Sequence, residues 1–167
     1  MRARRSFLAT ILSLLMIPLF GAEKPVDVSA VIPKDEAEKI LGESVRNPTP
    51  LNINGKDGYY SKCNYYSTKS VRSLLLRVRQ ASAGTLDALN ELDQIAGTGA
   101  KMKIIEGLGD KAGMLDGVPE NGLPPNAIIL YVAKGKSFIT IGISGIADEQ
   151  TALEKAEEVA QKILAQL

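Results

Sequence analysis

Two alternating segments joined by a tight turn constrain the fold of this chain more than any other feature. Residues Ala127 to Ala133 and Ser137 to Ser144 are rich in apolar residues, and Lys134-Gly135-Lys136 separates them. Such runs around a glycine-containing turn are typical of a β-hairpin. A helix is expected next, with Asp148 as its N-cap and apolar residues at helical spacing from Leu153 to Leu167. This half of the chain therefore predicts strand, turn, strand and helix.

An earlier stretch, from about Gly58 to Ala96, has the same order of elements. Residues 58–67 alternate in polarity, which predicts a strand with two distinct faces. One face carries Tyr59, Cys63 and Tyr65, and the other carries Tyr60, Lys62, Asn64 and Tyr66. Residues 71–80 alternate again, with inward Leu74, Leu76 and Val78 and outward Ser73, Arg77 and Arg79. We expect these two segments to pair as a hairpin.

The helix expected after this earlier hairpin has Thr85 as its N-cap and ends at Gly97. Its apolar stripe consists of Leu86, Leu89, Leu92 and Ile95. A helix with a single apolar side needs a sheet to cover, and this holds for both hairpin-helix units. The sequence therefore predicts an α+β fold, a twisted and mostly antiparallel sheet with helices packed on one face, in which a strand-strand-helix unit occurs twice.

Shorter elements precede and separate these two units. Pro33 to Leu41 is expected to form a helix, because proline and acids stand at its start and Gly42 follows its end. Residues 45–53 are compatible with an edge strand. Short strands are also expected at 101–106 and 111–116, on either side of a turn.

Two further assignments concern loops and domain limits. Gly117 to Asn126 contains three prolines and is expected to be an exposed loop. Residues 23–30 are expected to be a flexible leader. Residues 31–167 are long enough for one globular domain with an ordinary core.

The absence of histidine excludes several classes of function. Imidazole is the commonest general base near neutral pH and a frequent metal ligand, so histidine-dependent triads and metal sites are ruled out. Cys63 is the only cysteine, so it cannot form an internal disulfide or supply a structural zinc site alone. The sequence gives no reason to expect a metal or a cofactor.

The amino-terminal residues 1–22 have the order of a secretory signal. Arginines come first, an apolar run follows from Phe7 to Phe20, and the small residues Gly21 and Ala22 close the segment. The apolar run contains Pro18 and is shorter than the roughly 20 residues of a membrane span. Cleavage is expected after Ala22, and cleavage at Gly21 or an unprocessed anchor remain alternatives. We therefore expect a periplasmic or secreted protein that meets the membrane only during export.

The export route and the charge of the processed chain follow from the same segment. Arg4-Arg5-Ser6-Phe7-Leu8 is compatible with a twin-arginine signal, but the apolar run favours the Sec route. Removal of Arg2, Arg4 and Arg5 changes the formal charge from +1 to −2. A nearly neutral domain gives no electrostatic reason to expect nucleic acid as a partner.

Four short segments resemble a known group of envelope proteins. They are Ile32 to Gly42, Cys63-Asn64-Tyr65, Glu106 to Ala112 and Leu130 to Lys136. In their order they resemble actinobacterial lipoproteins of unknown function and, more distantly, the extracellular sensor domains of mycobacterial receptor kinases. This chain lacks a lipidated cysteine after the signal and the second cysteine of the disulfide-bearing members. The resemblance implies an extracytoplasmic, non-enzymatic domain of unknown ligand and transfers no site residues.

Candidate binding residues lie on one strand and in one loop. Tyr60 and Tyr66, with Lys62 between them, are expected on the face of the strand opposite the core, where tyrosine offers apolar area and a polar tip. Pro119 and Pro124 belong to the loop that is our best candidate for a recognition element. For each feature, an ordinary surface without function is the competing interpretation.

Three other features have structural interpretations that compete with functional ones. Cys63 is expected to be a buried core residue rather than a reactive thiol, because no basic group is adjacent to it in sequence. Gly107-Leu108-Gly109-Asp110 lacks the lysine-serine pair of a phosphate loop, so a tight turn is expected. Lys134 and Lys136 are expected to be solvated rather than bound to an anionic partner.

These observations favour a non-enzymatic binding domain over an enzyme. The partner would be an envelope protein, a peptide or a small molecule, and the sequence does not distinguish among them. An envelope enzyme that uses carboxylates or Cys63 is the first alternative. A structural or assembly factor of the cell envelope is the second.

Overall fold

A computed structural model describes residues 24–99, 101–116 and 126–167 of the chain. The predicted signal, residues 1–22, and most of the predicted recognition loop, including Pro119 and Pro124, lie outside the described residues. The helices of the described part are α1 (Val28–Val31), α2 (Lys34–Leu41), α3 (Ala88–Ala96) and α4 (Glu149–Leu164). Its strands are β1 (Leu51–Asn54), β2 (Gly58–Tyr66), β3 (Ser73–Ala81), β4 (Lys103–Ile105), β5 (Lys111–Asp116), β6 (Ala127–Lys134) and β7 (Ser137–Ser144).

The described strands form one antiparallel sheet in the order β1-β2-β3-β7-β6-β5-β4. Both predicted hairpins are confirmed: Tyr65 pairs with Leu74 in the first, and Val132 pairs with Ile139 in the second. The two hairpins join at the centre of the sheet, where β3 pairs with β7 along their length. The predicted α+β fold with a mostly antiparallel sheet is therefore confirmed.

One face of the sheet carries the main core. Because side chains alternate along a strand, every second residue of the central strands points to this face. The residues buried there include Cys63, Tyr65, Leu74, Leu76, Val78, Leu130, Val132, Ile139, Ile141 and Ile143. Full burial of one such leucine or isoleucine side chain contributes about 1.5–3 kcal/mol. This face therefore supplies most of the hydrophobic stabilisation.

Helices α1, α2 and α4 cover this core face. In α4 the buried side is Ala152, Ala156, Val159, Ala160 and Ile163, and Asp148 caps the helix by accepting a hydrogen bond from the Thr151 N–H at 2.8 Å, as predicted. In α2 the buried side is Ala37, Ile40 and Leu41, and the helix ends at Gly42 in the left-handed conformation. Among the described residues, no helix has the length and apolar character needed to cross a membrane.

Helix α3 lies on the opposite face of the sheet, so the prediction that all helices share one face is corrected. Its buried residues Ala88 and Leu92 pack with Ala133 and Phe138, which point away from the main core. The N-cap is Asp87, whose side chain accepts a hydrogen bond from the Asn90 N–H, and not Thr85. Leu86 and Leu89, expected on the apolar stripe, are 40% and 42% exposed. The helix therefore buries a narrower stripe than predicted.

The segment expected to be a flexible leader is packed into the fold from Val26 onward. Val26 and Val28 are buried in the main core. The Val26 N–H donates to Gln80 Oε1 at 2.8 Å, and the Val28 N–H donates to Ser61 Oγ at 2.9 Å. Two polar side chains of the sheet thereby satisfy backbone groups of a segment that forms no strand. The sequence of this segment alone does not indicate its long-range partners.

Candidate functional site

The predicted binding residues of β2 share the face that α3 only partly covers. Tyr60, Lys62 and Tyr66 all point away from the main core, and Tyr66 is 47% exposed. Pro119 and Pro124 are outside the described residues, so the structure places only the strand residues of the predicted site. Helix α3 packs beside Phe138 and Ala133, at one end of this face, whereas Lys62 and Tyr66 of β2 are exposed.

We use the name open face for the uncovered region formed by Leu51, Ile53, Lys62, Tyr66, Leu75 and Arg77. The strand register places all six on one side of the sheet, because Leu51 pairs with Lys62, which pairs with Arg77. The exposed fractions are 52% for Leu51, 48% for Ile53 and 38% for Leu75. Single apolar residues on a surface are ordinary, but here three of them share one sheet face and lie on either side of β2.

The apolar members of the open face were not among the predicted site residues. Leu75 is one of three consecutive leucines, so alternation requires one of them to point away from the core. That signal was available in the sequence. The exposure of Leu51 and Ile53 depends on β1 being an edge strand over which no described residue packs, and the sequence left this possibility open.

Two like charges face each other at the middle of the open face. Lys62 and Arg77 are directly paired across β2 and β3. Directly opposed like charges destabilise an antiparallel pair. Among the described residues, neither cation has a carboxylate oxygen within 4.0 Å, although the Arg77 guanidinium lies 5.5 Å from the centroid of the Tyr60 ring. The open face therefore carries positive charge that the described part of the chain does not neutralise by direct contact.

A shallow cleft of about 270 Å³ lies where the open face meets α3, and we call it the α3 cleft. Its lining consists of Asp57, Tyr60, Arg77, Arg79, Leu86, Glu91 and Gln94. The Tyr60 hydroxyl donates a hydrogen bond to the Asp57 carboxylate. This bond lowers the pKa of Asp57 and raises the pKa of Tyr60, so both groups keep their usual charge states near neutral pH.

Arg79 was predicted to point outward, and it does, but α3 buries it. Its side chain is 4% exposed, and its guanidinium forms an ion pair with Glu91, with Nη2 at 2.6 Å and Nε at 2.7 Å from Oε2. Nη2 also donates to the Leu86 carbonyl at 2.6 Å. Arg79 is therefore neutralised by its own chain, unlike Lys62 and Arg77 beside it.

Cys63 lies on the core face of β2 and is fully buried, as predicted. Burial raises the pKa of its thiol, so the neutral thiol predominates near neutral pH. The hydroxyl of the neighbouring core residue Tyr65 donates a hydrogen bond to the Ile32 carbonyl, and burial raises the pKa of that hydroxyl as well. Neither group has the exposure or the charge state of a nucleophile.

The glycine-rich segment at residues 107–110 forms a turn, as predicted. The Asp110 carboxylate accepts a hydrogen bond from the Gly135 N–H at 2.7 Å, and it forms an ion pair with Lys134 at 2.7 Å. The turn is thereby fastened to the tip of the second hairpin. Lys134, considered as a contact for an anionic partner, already has an anionic partner within the chain.

The described residues contain no group of three or more acidic or cysteine side chains arranged to hold a metal ion. No protein-family model and no curated protein matches this chain.

Proposed function

We propose that this protein is an exported, non-enzymatic binding module whose recognition surface is the open face. The observation that carries the proposal is the open face itself, where exposed Leu51, Ile53 and Leu75 surround the opposed cations Lys62 and Arg77. The order of arginines, apolar run and small residues at 1–22 supports the exported part of the proposal.

The composition of the open face fits recognition of a macromolecule better than binding of a small molecule. Small-molecule sites are concave and bury most of their ligand. The open face is instead a broad surface bordered by the α3 cleft. This cleft is open to solvent and has a volume of only about 270 Å³. Tyr66 and Arg77 are residue types that are enriched in protein interfaces.

The polar groups near the open face do not favour an enzyme. Catalysis by a carboxylate or thiol needs a group that reaches substrate in the right charge state. Asp57 is held by Tyr60, Glu91 is paired with Arg79, and Cys63 is buried with a raised pKa. A structural or assembly factor of the envelope would use the same open face, and the identity of the partner distinguishes it from other binding modules.

A comparative capture experiment tests the proposed surface. The full chain with a carboxyl-terminal tag is expressed in cells of its source organism and is cross-linked to bound proteins. Three forms of the chain are compared. They are the wild type, the double variant Tyr66→Ser with Leu75→Ser, and the matched control Val71→Ser. Val71 is 84% exposed but lies outside the open face, so its loss controls for general surface hydrophobicity.

We expect the wild type and the Val71→Ser control to capture the same abundant partner and the double variant to lose it. Equal capture by all three forms, or capture of nothing specific, would refute the open face as the recognition surface. Export has its own test, because cell fractionation should recover a shortened chain outside the cytoplasm. Recovery of only the untrimmed chain in the cytosol would refute export. The capture experiment would still test the open face as the recognition surface.

A further inference from the structure

We propose that the partner is a protein that contributes an extended acidic segment, which adds to the free edge of β1 and places its carboxylates toward Lys62 and Arg77. This inference rests on the proposed function and specifies the class of partner. It combines three independent features of one corner of the sheet: the backbone of β1, the charges of the next two strands and the exposed apolar residues of β1.

Within the part of the chain that the structure describes, the backbone of β1 is paired on one side only, with β2. The Gly55 N–H donates to the Gly58 carbonyl at 2.8 Å, which makes this a hydrogen-bonded pair, and such pairs recur at every second residue of an antiparallel ladder. In the observed register the next such pairs are Ile53 with Tyr60 and Leu51 with Lys62. The N–H and C=O groups of Asn52 and Asn54 therefore point away from β2, at the edge of the sheet.

This edge has only part of the usual protection against pairing: β1 is short and Pro50 directly precedes it, but the strand holds no charged residue. Exposed edge strands are commonly guarded by charged residues within the strand. The sequence of β1 is Leu-Asn-Ile-Asn, without a charge, and all four residues are exposed. A short extended segment of another protein can satisfy the outward backbone groups by β-strand addition. Lipid and nucleic acid cannot supply such a pattern of alternating donors and acceptors, so the edge favours a peptide.

The side chains of an added strand would meet a defined surface. Adjacent strands lie about 4.8 Å apart, so Lys62 is about 10 Å from an added strand, with Leu51 between them. An acidic side chain beside Leu51 would extend over it toward the Lys62 ammonium group, and the apolar stems of both would cover Leu51. Two residues along the segment, an apolar side chain would pack on Ile53. The expected pattern is an acidic residue and an apolar residue separated by one position.

The charges also select among occupants. A second copy of this chain, paired through β1, would place the Lys62 residues of the two copies at least about 14 Å apart and would offer neither Lys62 nor Arg77 an opposite charge. An acidic segment would reduce the existing repulsion between Lys62 and Arg77. The charge arrangement therefore favours a different, acidic protein over self-association.

The test uses fluorescence anisotropy with the full chain and three labelled, end-blocked peptides. In the first peptide, glutamate, serine, valine and serine repeat in turn, and in the other two, glutamine or lysine replaces glutamate. We expect the glutamate peptide to bind, the glutamine peptide to bind about tenfold more weakly and the lysine peptide not to bind. Binding of the glutamate peptide should weaken as salt concentration rises.

Two variants separate the charge contribution from the edge contribution. Lys62→Gln with Arg77→Gln should weaken binding of the glutamate peptide about tenfold and should remove most of its salt dependence. Asn52→Pro removes an N–H that points away from β2, so the ladder to β2 is kept while strand addition is blocked. We expect it to lose peptide binding. Because the Asn52 side chain also contributes to lowering the pKa of Asp27, Asn52→Ala is the matched control and should retain binding.

Equal binding of the three peptides, or undiminished binding by Asn52→Pro, would overturn the inference. Preferential binding to vesicles of equal parts phosphatidylcholine and phosphatidylglycerol, or a concentration-dependent dimer lost in Asn52→Pro, would overturn it in favour of a membrane or a second copy. If the capture experiment succeeds and the peptide experiment fails, only this inference is refuted. If both fail, the proposed function is refuted as well.

Discussion

The Arg79–Glu91 ion pair provides the sharpest test of how α3 is held on the sheet. Arg79 is 4% exposed and Glu91 is 19% exposed, so the pair lies between a surface pair and a fully buried one. Removing one partner of a buried pair costs about 3–5 kcal/mol, because a buried charge is left uncompensated. An exposed pair contributes about 0–1 kcal/mol. For Glu91→Gln we therefore expect a loss of about 2 kcal/mol in the free energy of unfolding.

The measurement is equilibrium unfolding in urea, followed by far-UV circular dichroism. With a slope of about 2 kcal/mol per molar, typical of a small protein, the midpoint should fall by about 1 M. The control Glu154→Gln removes an exposed carboxylate of α4 and should change stability by less than about 0.5 kcal/mol.

A double variant tests the physical reason. Arg79→Met with Glu91→Leu removes both charges and keeps much of the apolar volume, so it should cost less than Glu91→Gln alone. An equal loss of stability in Glu91→Gln and in the Glu154→Gln control would refute this role of the ion pair. It is also refuted if the double variant is less stable than Glu91→Gln, since the stranded charge on Arg79 would then not be the source of the loss.

Three further predictions concern the core and one turn. Tyr65→Phe leaves the buried Ile32 carbonyl without its hydrogen-bond donor and should lower the free energy of unfolding in urea by about 1–3 kcal/mol. The control Tyr66→Phe, on the open face, should lower it by less than about 0.5 kcal/mol, and equal losses would contradict the role of the buried hydrogen bond. Gly109→Ala should destabilise the protein by at least about 2 kcal/mol, because an added Cβ would lie 2.6 Å from the Ala133 carbonyl oxygen. Gly107 has a similar positive φ but open space around it, so Gly107→Ala should destabilise the protein by about 1 kcal/mol. A smaller thermal shift for Gly109→Ala than for Gly107→Ala would refute that account. Cys63 should resist iodoacetamide near neutral pH in the native protein and react in urea, as read by mass spectrometry; rapid native modification would instead support the enzyme alternative.

The hairpins could be predicted because their signal is local. In β2 and β3, polarity changes at every second residue, and burial on one face imposes this period on any sequence that forms a half-buried strand. The cap at Asp148 was equally local, since a carboxylate three residues before the Thr151 N–H is all that it requires. Predictions of this kind depend on neighbours in sequence, which the sequence displays directly.

The features that could not be predicted depend on distant residues. A helix with one apolar side can cover either face of a sheet. Arg79 and Phe138 hold α3 on its face by contact, and they become neighbours only when β3 and β7 pair. Residues 24–30 look like a leader because their partners, Gln80 and Ser61, are more than thirty residues away. For the candidate site, alternation located Tyr60, Lys62 and Tyr66, while the pairing of Lys62 with Arg77 required the register.

The junction of β3 with β7 has a consequence for the order in which the molecule can assemble. Its contacts join residues as distant as Ser73 and Ser144, so the ladder at the centre of the sheet cannot form until most of the polypeptide has been synthesised. Long separations between paired residues slow folding, because loop closure must precede the gain from contact. A nascent chain that ends before β7 therefore has an incomplete sheet in which the apolar strand β3 forms an exposed edge. Chaperones can bind this edge until the β6–β7 hairpin has been synthesised and pairs with it.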